Sequence, residues 1–322
     1  MKAVLTAFAM LSMLGTGAAH AQAWPTKPVR IMVGYVPGGG VDTTARLVAA
    51  ALSGLWGSNV LVENRPGAAG NIATEYTARA APDGYTLVLC NIGSHSITPA
   101  RFRKRLTYDP IADFAFPAMI GGVPNVLMVH PSMPTRTLKE FVAYAKAHPG
   151  KLNFGSSGVG GSPHLSIELF KMISGIDIVH VPYKGAAAAL ADVMSGHMES
   201  SVGNLAGGPL AAIRAKRVRA LGVTSAKRNA QVPEVPTFAE QGVAGYDVTG
   251  WYGLCTQSKV AQPILAKINA DLNKVLAGPL KQRLEDQGIT VTPSTQEGFA
   301  AHVKSEIAKW SKVVREAKLE AE

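Results

Sequence analysis

The sequence is poor in cysteine, and the placement of its two cysteines excludes one class of site. Cys90 and Cys255 are the only cysteines in 322 residues, and neither is spaced from another Cys or His as metal ligands are. Both lie in apolar, strand-like stretches. An oxidising compartment would permit a disulfide between them, but we expect two buried free thiols. The sequence predicts no metal site.

Long apolar runs are absent after the N-terminal segment, so no later stretch is expected to cross a membrane. Residues 1–2 give a short basic start, residues 3–14 are almost wholly apolar, and residues 19–21 read small-x-small. This order is typical of a secretory signal peptide. We expect residues 1–21 to be removed, with cleavage after Ala21 or, as an alternative, Ala23. A lipoprotein would carry a cysteine at this junction, and none is present. We therefore expect a periplasmic protein without a lipid anchor.

The common enzyme signatures are also missing. A dinucleotide enzyme would need G-x-G-x-x-G after the first strand, and that spacing is absent although Glu63 follows the second strand suitably. The serines at residues 155–158 fail the G-x-S-x-G spacing by one residue, and no acid partner for His164 is evident. No Walker lysine or zinc-type His/Glu pair is present. We therefore expect no catalysis and no cofactor.

Acidic residues are fewer than basic ones. Thirty-two Lys and Arg against 22 Asp and Glu give a formal net charge of +10. A positive field raises the local concentration of anionic solutes, although exported proteins vary widely in charge. The basic residues are scattered and not interleaved with aromatics, which argues against a nucleic-acid partner.

Short apolar strands alternate with helical patterns, which predicts an α/β fold. Removal of the leader leaves about 300 residues, a length that favours two domains over one core. We predict that lobe 1 combines residues 22–124 and 250–322, and that lobe 2 is residues 125–249. Each lobe would hold a mainly parallel sheet flanked by helices, with two crossing segments as the hinge. Helix starts are predicted at the capping box Thr137–Glu140, at Ser162 before Pro163, and at the capping box Ser294–Glu297.

Glycine-rich loops between strands and helices are the candidate binding elements, because ligands meet parallel sheets at their carboxyl edge. Backbone N–H groups at the following helix N-termini attract anions. Both predicted lobes contain glycine-rich loops of this kind. Lys184 lies in one of them, and its side chain would either contact an anion or stay solvated. The candidate ligand-binding residues are Tyr35, Pro37, Gly38, Gly39, Asp42, Ala68, Ala69, Asn91, Ser94, Ser156, Ser157, Gly158, His164, Tyr183, Gly203 and Asn204. Asp42 would cap its helix or orient the loop, and His164 would bind ligand or pack locally.

These loops together resemble the Bug-type substrate-binding proteins of the tripartite tricarboxylate transporter family. The matching segments are residues 24–30, 35–42, 62–71, 81–86, 108–110, 156–158, 181–185, 223–225 and 251–254. The resemblance implies a two-lobed, Venus-flytrap periplasmic binding protein that holds a small carboxylate, and we expect it to act as a monomer. It also implies a two-subunit membrane permease as partner.

Gly203 departs from the resemblance, since relatives commonly carry Asp before the Asn-Leu pair. Loss of that charge would suit a larger or doubly negative ligand, so we expect a dicarboxylate, with an aromatic one as a candidate. A sensory role with a signalling partner and, last, a hydrolase remain the alternatives.

Overall fold

The computed structural model describes residues 24–102 and 105–316. The predicted signal peptide of residues 1–21 lies outside these described residues. Strands and helices alternate along the described chain, which confirms the α/β class. None of the described helices is both long and apolar enough to cross a bilayer.

The regular elements of the described chain follow in sequence order. The strands are β1 Val29–Val33, β2 Val60–Asn64, β3 Thr86–Asn91, β4 Phe114–Val129, β5 Asn153–Ser156, β6 Val179–Pro182, β7 Ser200–Asn204, β8 Arg219–Val223, β9 Thr249–Gln257 and β10 Thr290–Val291. The helices are α1 Gly40–Trp56, α2 Asn71–Ala78, α3 Thr98–Arg101, α4 Leu138–Ala147, α5 Ser162–Ser174, α6 Ala186–Ser195, α7 Gly208–Arg214, α8 Gln262–Leu276, α9 Pro279–Glu285 and α10 Gln296–Glu316. A 3-10 turn, Ala68–Gly70, precedes α2, and a π-helical turn, Gly93–Ile97, precedes α3.

Helix α1 shows how apolar spacing produces this architecture. Its apolar residues recur every three or four positions, so they share one face of the helix. That face packs on the sheet and is buried at Val41, Ala45, Val48, Ala49 and Leu52. The helix ends at Gly57, whose φ of 62° is a left-handed conformation that glycine adopts without strain.

The strands form one curled sheet in the order β2-β1-β3-β9-β4-β7-β5-β6. The long strand β4 joins its two halves. Residues 114–124 of β4 pair antiparallel with β9, and residues 125–129 pair antiparallel with β7 and β8. Outside this centre the pairs β1–β2, β1–β3, β5–β6 and β5–β7 are parallel. We call the β1, β2, β3, β9 side the first half and the β5–β8 side the second half.

The predicted cap at Thr137 is confirmed, and the cap at Ser162 is wrong. Thr137 Oγ1 accepts the N–H of Glu140 at 3.1 Å. Helix α5 has Gly161 as its N-cap, and Ser162 is already helical. The Ser162 hydroxyl instead accepts a hydrogen bond from Asn125 Nδ2 at 2.8 Å, because β4 lies beside this helix start.

The capping box predicted at Ser294 is also wrong, by one residue. Thr295 Oγ1 accepts the N–H of Gly298 at 3.0 Å, so the cap lies at Thr295. Ser294 Oγ accepts the backbone N–H of Met119 at 3.0 Å. The hydroxyl of Ser294 is thus used by β4 and not by the helix that follows it.

The expectation of two free thiols is wrong, since Cys90 and Cys255 form a disulfide. Strands β3 and β9 are antiparallel neighbours in which Cys90 lies opposite Gly253 and Cys255 opposite Val88. The two cysteines are therefore diagonal neighbours, with Cα atoms 5.8 Å apart, a separation that a disulfide spans. The sequence hides this pairing because the two cysteines are 165 residues apart.

Candidate functional site

The loops after the strands of both halves meet in a cleft that contains two adjoining cavities. The inner cavity has a volume of about 40 Å³, above the roughly 10–15 Å³ that one water needs. The outer cavity has a volume of about 520 Å³, within the range of small-molecule sites. Four residues line both cavities and join them: Tyr35, Val36, Ser157 and Gly185.

Each cavity takes its lining from both halves of the sheet. The inner cavity is further lined by Gly39, Gly40, Val41, Asn91, Ile92, Ser162, Pro163, Ala186, Asn204, Gly250 and Tyr252. The outer cavity is further lined by Gly34, Pro66, Gly67, Ala68, Ala69, Gly158, Val159, Tyr183 and Lys184.

Three helix N-termini converge on the inner cavity. They are the starts of α1, α5 and α6, of which α1 belongs to the first half and the other two to the second. None of the three has a side-chain cap. The N–H groups of their first turns therefore have no side-chain acceptor, and their partial positive charge lies at the cavity. Such an arrangement attracts an anion.

A chain of hydrogen bonds connects the two halves beside the inner cavity. Tyr252 on β9 donates its hydroxyl proton to Asn204 Oδ1 at 3.1 Å. Asn204 Nδ2 donates to Asn125 Oδ1 at 2.8 Å, and Asn125 in turn donates to Ser162. Burial raises the pKa of Tyr252, so its hydroxyl stays protonated. The chain fixes Asn204 and Ser162 where they line the cavity.

Tyr35 and Asn91 connect the first-half loops on the other side of the inner cavity. The Tyr35 hydroxyl donates to the carbonyl of Ala69 at 2.9 Å, so the loops after β1 and β2 are joined. Asn91 Oδ1 accepts the N–H of Gly93 at 2.8 Å. Asn91 Nδ2, by contrast, makes no hydrogen bond to the residues that the structure describes, and Asn91 lines the inner cavity.

Asp42 orients the loop after β1 and does not cap α1, whose N-cap is Gly39. The buried carboxylate accepts bonds from Gly38 N–H at 3.0 Å, Arg46 Nε at 2.9 Å and Asn64 Nδ2 at 2.8 Å. Burial alone would raise the pKa of Asp42, but these bonds outweigh it and hold the pKa below its usual value. The carboxylate therefore stays charged beneath the loop.

The loop after β2 stores backbone strain where it lines the outer cavity. Ala68 and Ala69 have φ of 48° and 56°, which residues other than glycine rarely adopt. Such conformations cost about 1–3 kcal/mol each and cluster at ligand sites. In this conformation the segment lies directly against Gly34. A Cβ added to Gly34 would overlap the backbone of Gly70.

The second-half loop after β5 is fixed by Ser156 and presents Ser157. Ser156 Oγ accepts the N–H of Gly158 at 3.2 Å and lies 2.7 Å from His180 Nε2. Ser156 is fully buried and lines neither cavity. Ser157, the next residue, lines both, and its hydroxyl makes no hydrogen bond within residues 24–102 and 105–316.

His164 packs locally and does not reach the cavities. Its Nδ1 accepts the N–H of Gly160 at 3.2 Å, and its ring stacks on His180 with centroids 3.9 Å apart. Burial, helped by His180, Arg101 and Lys171, lowers the pKa of His164 to about 3. Both the acceptor role of Nδ1 and the low pKa indicate a neutral ring.

Gly203 does not face the ligand, so the hypothesis that it removes a charge from the cleft is wrong. A Cβ at Gly203 would lie 3.3 Å from the side chain of Pro209 and 3.8 Å from Met128, on the core side of β7. Successive residues of a strand face opposite sides, and Asn204 is the one that lines the inner cavity. An acid at position 203 would therefore be directed into the core.

Of the sixteen sequence candidates, the structure brings nine to the cavities: Tyr35, Gly39, Ala68, Ala69, Asn91, Ser157, Gly158, Tyr183 and Asn204. Pro37, Gly38, Asp42, Ser94, Ser156, His164 and Gly203 line neither. Ser94 is buried beneath, 2.9 Å from His95 Nδ1.

Val36, Ser162, Gly185 and Tyr252 also line the cavities, although the sequence did not single them out. The first three lie in glycine-rich loops between a strand and a helix, where the sequence did predict binding. Tyr252 lies within β9 and carried no such signal.

Known proteins resemble the chain over most of its length. The family model described as "Tripartite tricarboxylate transporter family receptor" matches residues 44–319. "Protein BugT" of Bordetella pertussis is 32% identical over 92% of this chain and 91% of BugT. The solved structure "R. palustris Rpa4515 with adipate" has a TM-score of 0.87 at 35% identity. The match covers 92% of this chain and 98% of the Rpa4515 chain. "MatC (Rpa3494) from Rhodopseudomonas palustris with bound malate" has a TM-score of 0.85 at 32% identity. The match covers 90% of this chain and 100% of the MatC chain.

Proposed function

The chain belongs to the tripartite tricarboxylate transporter receptor family, and we propose that it captures a small carboxylate in the cleft for delivery to a membrane permease. Family members of this kind are solute-binding receptors. A binding role is therefore favoured over the hydrolase alternative, and transport is favoured over sensing.

The observation that carries the proposal is the convergence of α1, α5 and α6 on the inner cavity. Three uncapped N-termini give a positive potential, and no Asp or Glu of the described chain lines either cavity. A bound carboxylate would accept bonds from backbone N–H groups and from donors such as Ser157 and Asn91. Bonds to an ionised acceptor are stronger than those between neutral groups. The titles of two structural neighbours, with adipate and with malate, support the same ligand class.

We propose that the two halves are lobes that close on the ligand, with residues 22–124 and 250–322 in lobe 1 and residues 125–249 in lobe 2. Strand β4 passes between the halves at Pro124 and Asn125, and the chain returns where Thr249 of β9 lies opposite Pro124. Two adjacent extended segments form a hinge that can bend without breaking either core. Tyr252 and Asn204 would then join across the cleft on closure.

We further propose export to the periplasm with cleavage near Ala21, action as a monomer, and a permease of two subunits as partner. The basic, apolar and small-residue segments of the N-terminus support export. N-terminal sequencing of the secreted protein tests the cleavage position, and light scattering tests the monomer.

A thermal-shift screen tests the binding proposal. The purified mature protein is heated with C4–C8 mono- and dicarboxylates and with the corresponding amides, which keep size but lose charge. A carboxylate at 100 times its Kd stabilises the folded state by about 2.7 kcal/mol, so it should raise Tm by several degrees whereas its amide should not. Calorimetry then gives Kd, and the ligand should be recovered chemically unchanged. Equal stabilisation by acid and amide, or no stabilisation by any carboxylate, would contradict the proposal.

A further inference from the structure

We propose that Lys184 is a specificity-determining residue that binds the second carboxylate of a dicarboxylate whose first carboxylate lies in the inner cavity. This inference rests on the proposed carboxylate capture and adds a position for the distal charge. It also replaces Gly203, which faces the core, as the reason to expect a doubly negative ligand.

The first support is the distribution of charge around the cavities. Among the described residues that line them, Lys184 alone has a formally charged side chain. The inner cavity offers only backbone, hydroxyl and amide groups. A ligand with one carboxylate can be satisfied there, whereas a second carboxylate must find its cation in the outer cavity.

The second support is that the ammonium group of Lys184 is available. Within the part of the chain that the structure describes, Lys184 forms no ion pair and no hydrogen bond. Asp192, on α6, accepts a 2.5 Å hydrogen bond from the Tyr183 hydroxyl. Among the described residues, no carboxylate would therefore have to be displaced before a ligand binds Lys184.

The third support is the fixed backbone on both sides of Lys184. The N–H of Tyr183 donates to the carbonyl of Ser156 at 3.0 Å, which anchors the segment to β5. Gly185 is the N-cap of α6 and lines both cavities. The exposed side chain of Lys184 thus extends from a rigid segment at the junction, and only its own rotamers need to be ordered on binding.

The fourth support is the size of the two cavities. We place the first carboxylate in the inner cavity, which at about 40 Å³ is far smaller than the outer cavity at about 520 Å³. The remainder of the ligand must pass Val36 and Gly185 into the outer cavity, where Lys184 lies. A dicarboxylate would bridge the helix N-termini and the lysine, whereas a monocarboxylate would leave the lysine without a partner.

Calorimetry with two ligands and two variants tests this inference. Adipate and hexanoate are the first probes, because they share a six-carbon chain and differ only in the distal carboxylate. Lys184→Met removes the charge and keeps an unbranched side chain. Lys304→Met is the matched control, since Lys304 is an exposed lysine of α10 that lines neither cavity and its replacement also lowers the net charge by one.

We expect Lys184→Met to weaken adipate binding about tenfold, the lower end for a charge-assisted bond. Hexanoate binding should change by less than about twofold. Lys304→Met should leave both affinities unchanged, and Lys184→Arg should keep most of the adipate affinity. Added salt should weaken adipate binding to the wild type more than to Lys184→Met, because the lysine is exposed to screening ions.

The outcomes separate the two levels of the proposal. Three outcomes would overturn the role of Lys184 and leave carboxylate capture standing. In Lys184→Met, the affinities for adipate and hexanoate could fall equally, or neither could fall. In the wild type, monocarboxylates alone could bind tightly. If adipate does not bind, the tightest dicarboxylate of the C4–C8 series and its matched monocarboxylate replace the pair. Failure of every carboxylate in that series would overturn capture and this inference together.

Discussion

Gly185 offers a direct test of whether the cleft must close to hold its ligand. It lies on the second half, and a Cβ built on it would approach Val36 Cγ2, on the first half, closer than 3.0 Å. Real Cβ atoms do not show such contacts. Gly185→Ala should therefore disfavour the closed arrangement while leaving an open one without this overlap.

The magnitude has two parts that act on different equilibria. The φ of Gly185 is 138°, so alanine adds backbone strain of about 1–3 kcal/mol, which lowers the free energy of unfolding in the open and closed forms alike. The overlap with Val36 adds an overpacking penalty of about 1–3 kcal/mol to the closed form alone. Only the second part changes affinity, so Kd should rise about 5- to 150-fold.

A double-mutant cycle separates these parts. Val36→Ala removes the atom that the new Cβ at position 185 would overlap, so Gly185→Ala should weaken binding much less in the Val36→Ala background than in the wild type. Gly175→Ala is the strain control, because Gly175 ends α5 outside both cavities, with φ of 64° and no atom within 4 Å of an added Cβ. It should lower Tm without a comparable change in Kd. Wild-type affinity in Gly185→Ala, or an undiminished loss beside Val36→Ala, would refute closure through this contact.

Three further predictions concern the supports of the site. Asp42→Asn should lower the free energy of unfolding by about 1.5–3 kcal/mol in urea titration, because charge-assisted bonds are lost; unchanged stability would contradict the loop-fixing role. Replacing Cys90 and Cys255 together by alanine should lower it by about 2–5 kcal/mol, since the disulfide closes a long loop, and dithiol reductant should then have no further effect. His164 has its pKa near 3 when folded and about 6.5 when unfolded, so its stabilisation is complete above pH 6.5 and decreases as the pH falls toward 3. His164→Gln should remove about 1–2 kcal/mol of the stability loss between pH 7 and pH 5, and an unchanged pH profile would contradict the buried neutral ring.

The order and type of the elements were predictable because they depend on local periodicity. The apolar residues of α1 recur at helical spacing, and the same residues are buried in the structure. Gly196, in a left-handed conformation, ends α6, as glycine commonly does at a helix C-terminus. These features need no knowledge of a distant partner, since helix geometry and glycine conformation determine them.

The orientation of individual side chains was not predictable to the same degree. Ser156 and Ser157 are adjacent serines in one loop, yet the first is buried against His180 and the second lines both cavities. Gly203 and Asn204 divide between core and cleft in the same way. Which member of such a pair faces the ligand depends on the register of its strand against a neighbour, and that register involves residues far apart in sequence.

Side-chain partners from distant strands also decided the errors at Ser162 and at the cysteines. Ser162 fits the local rule for an N-cap, but Asn125 occupies its hydroxyl. The cysteines were expected to be free because nothing local joins β3 to β9. In each case the competing partner lies on a strand that is adjacent only after the sheet has formed.

The positive character of the inner cavity comes from backbone, and this has a consequence for how affinity responds to mutation. Truncating a lining side chain such as Ser157 removes one donor and leaves the three helix N-termini in place. Changes that move the loops act on those N-termini themselves, so Asp42 and Gly185, which bring no side chain to the ligand, should influence capture more than Ser157 does. The backbone fixes the attraction for one carboxylate, whereas side chains at the outer cavity, Lys184 first among them, are free to select what is attached to it.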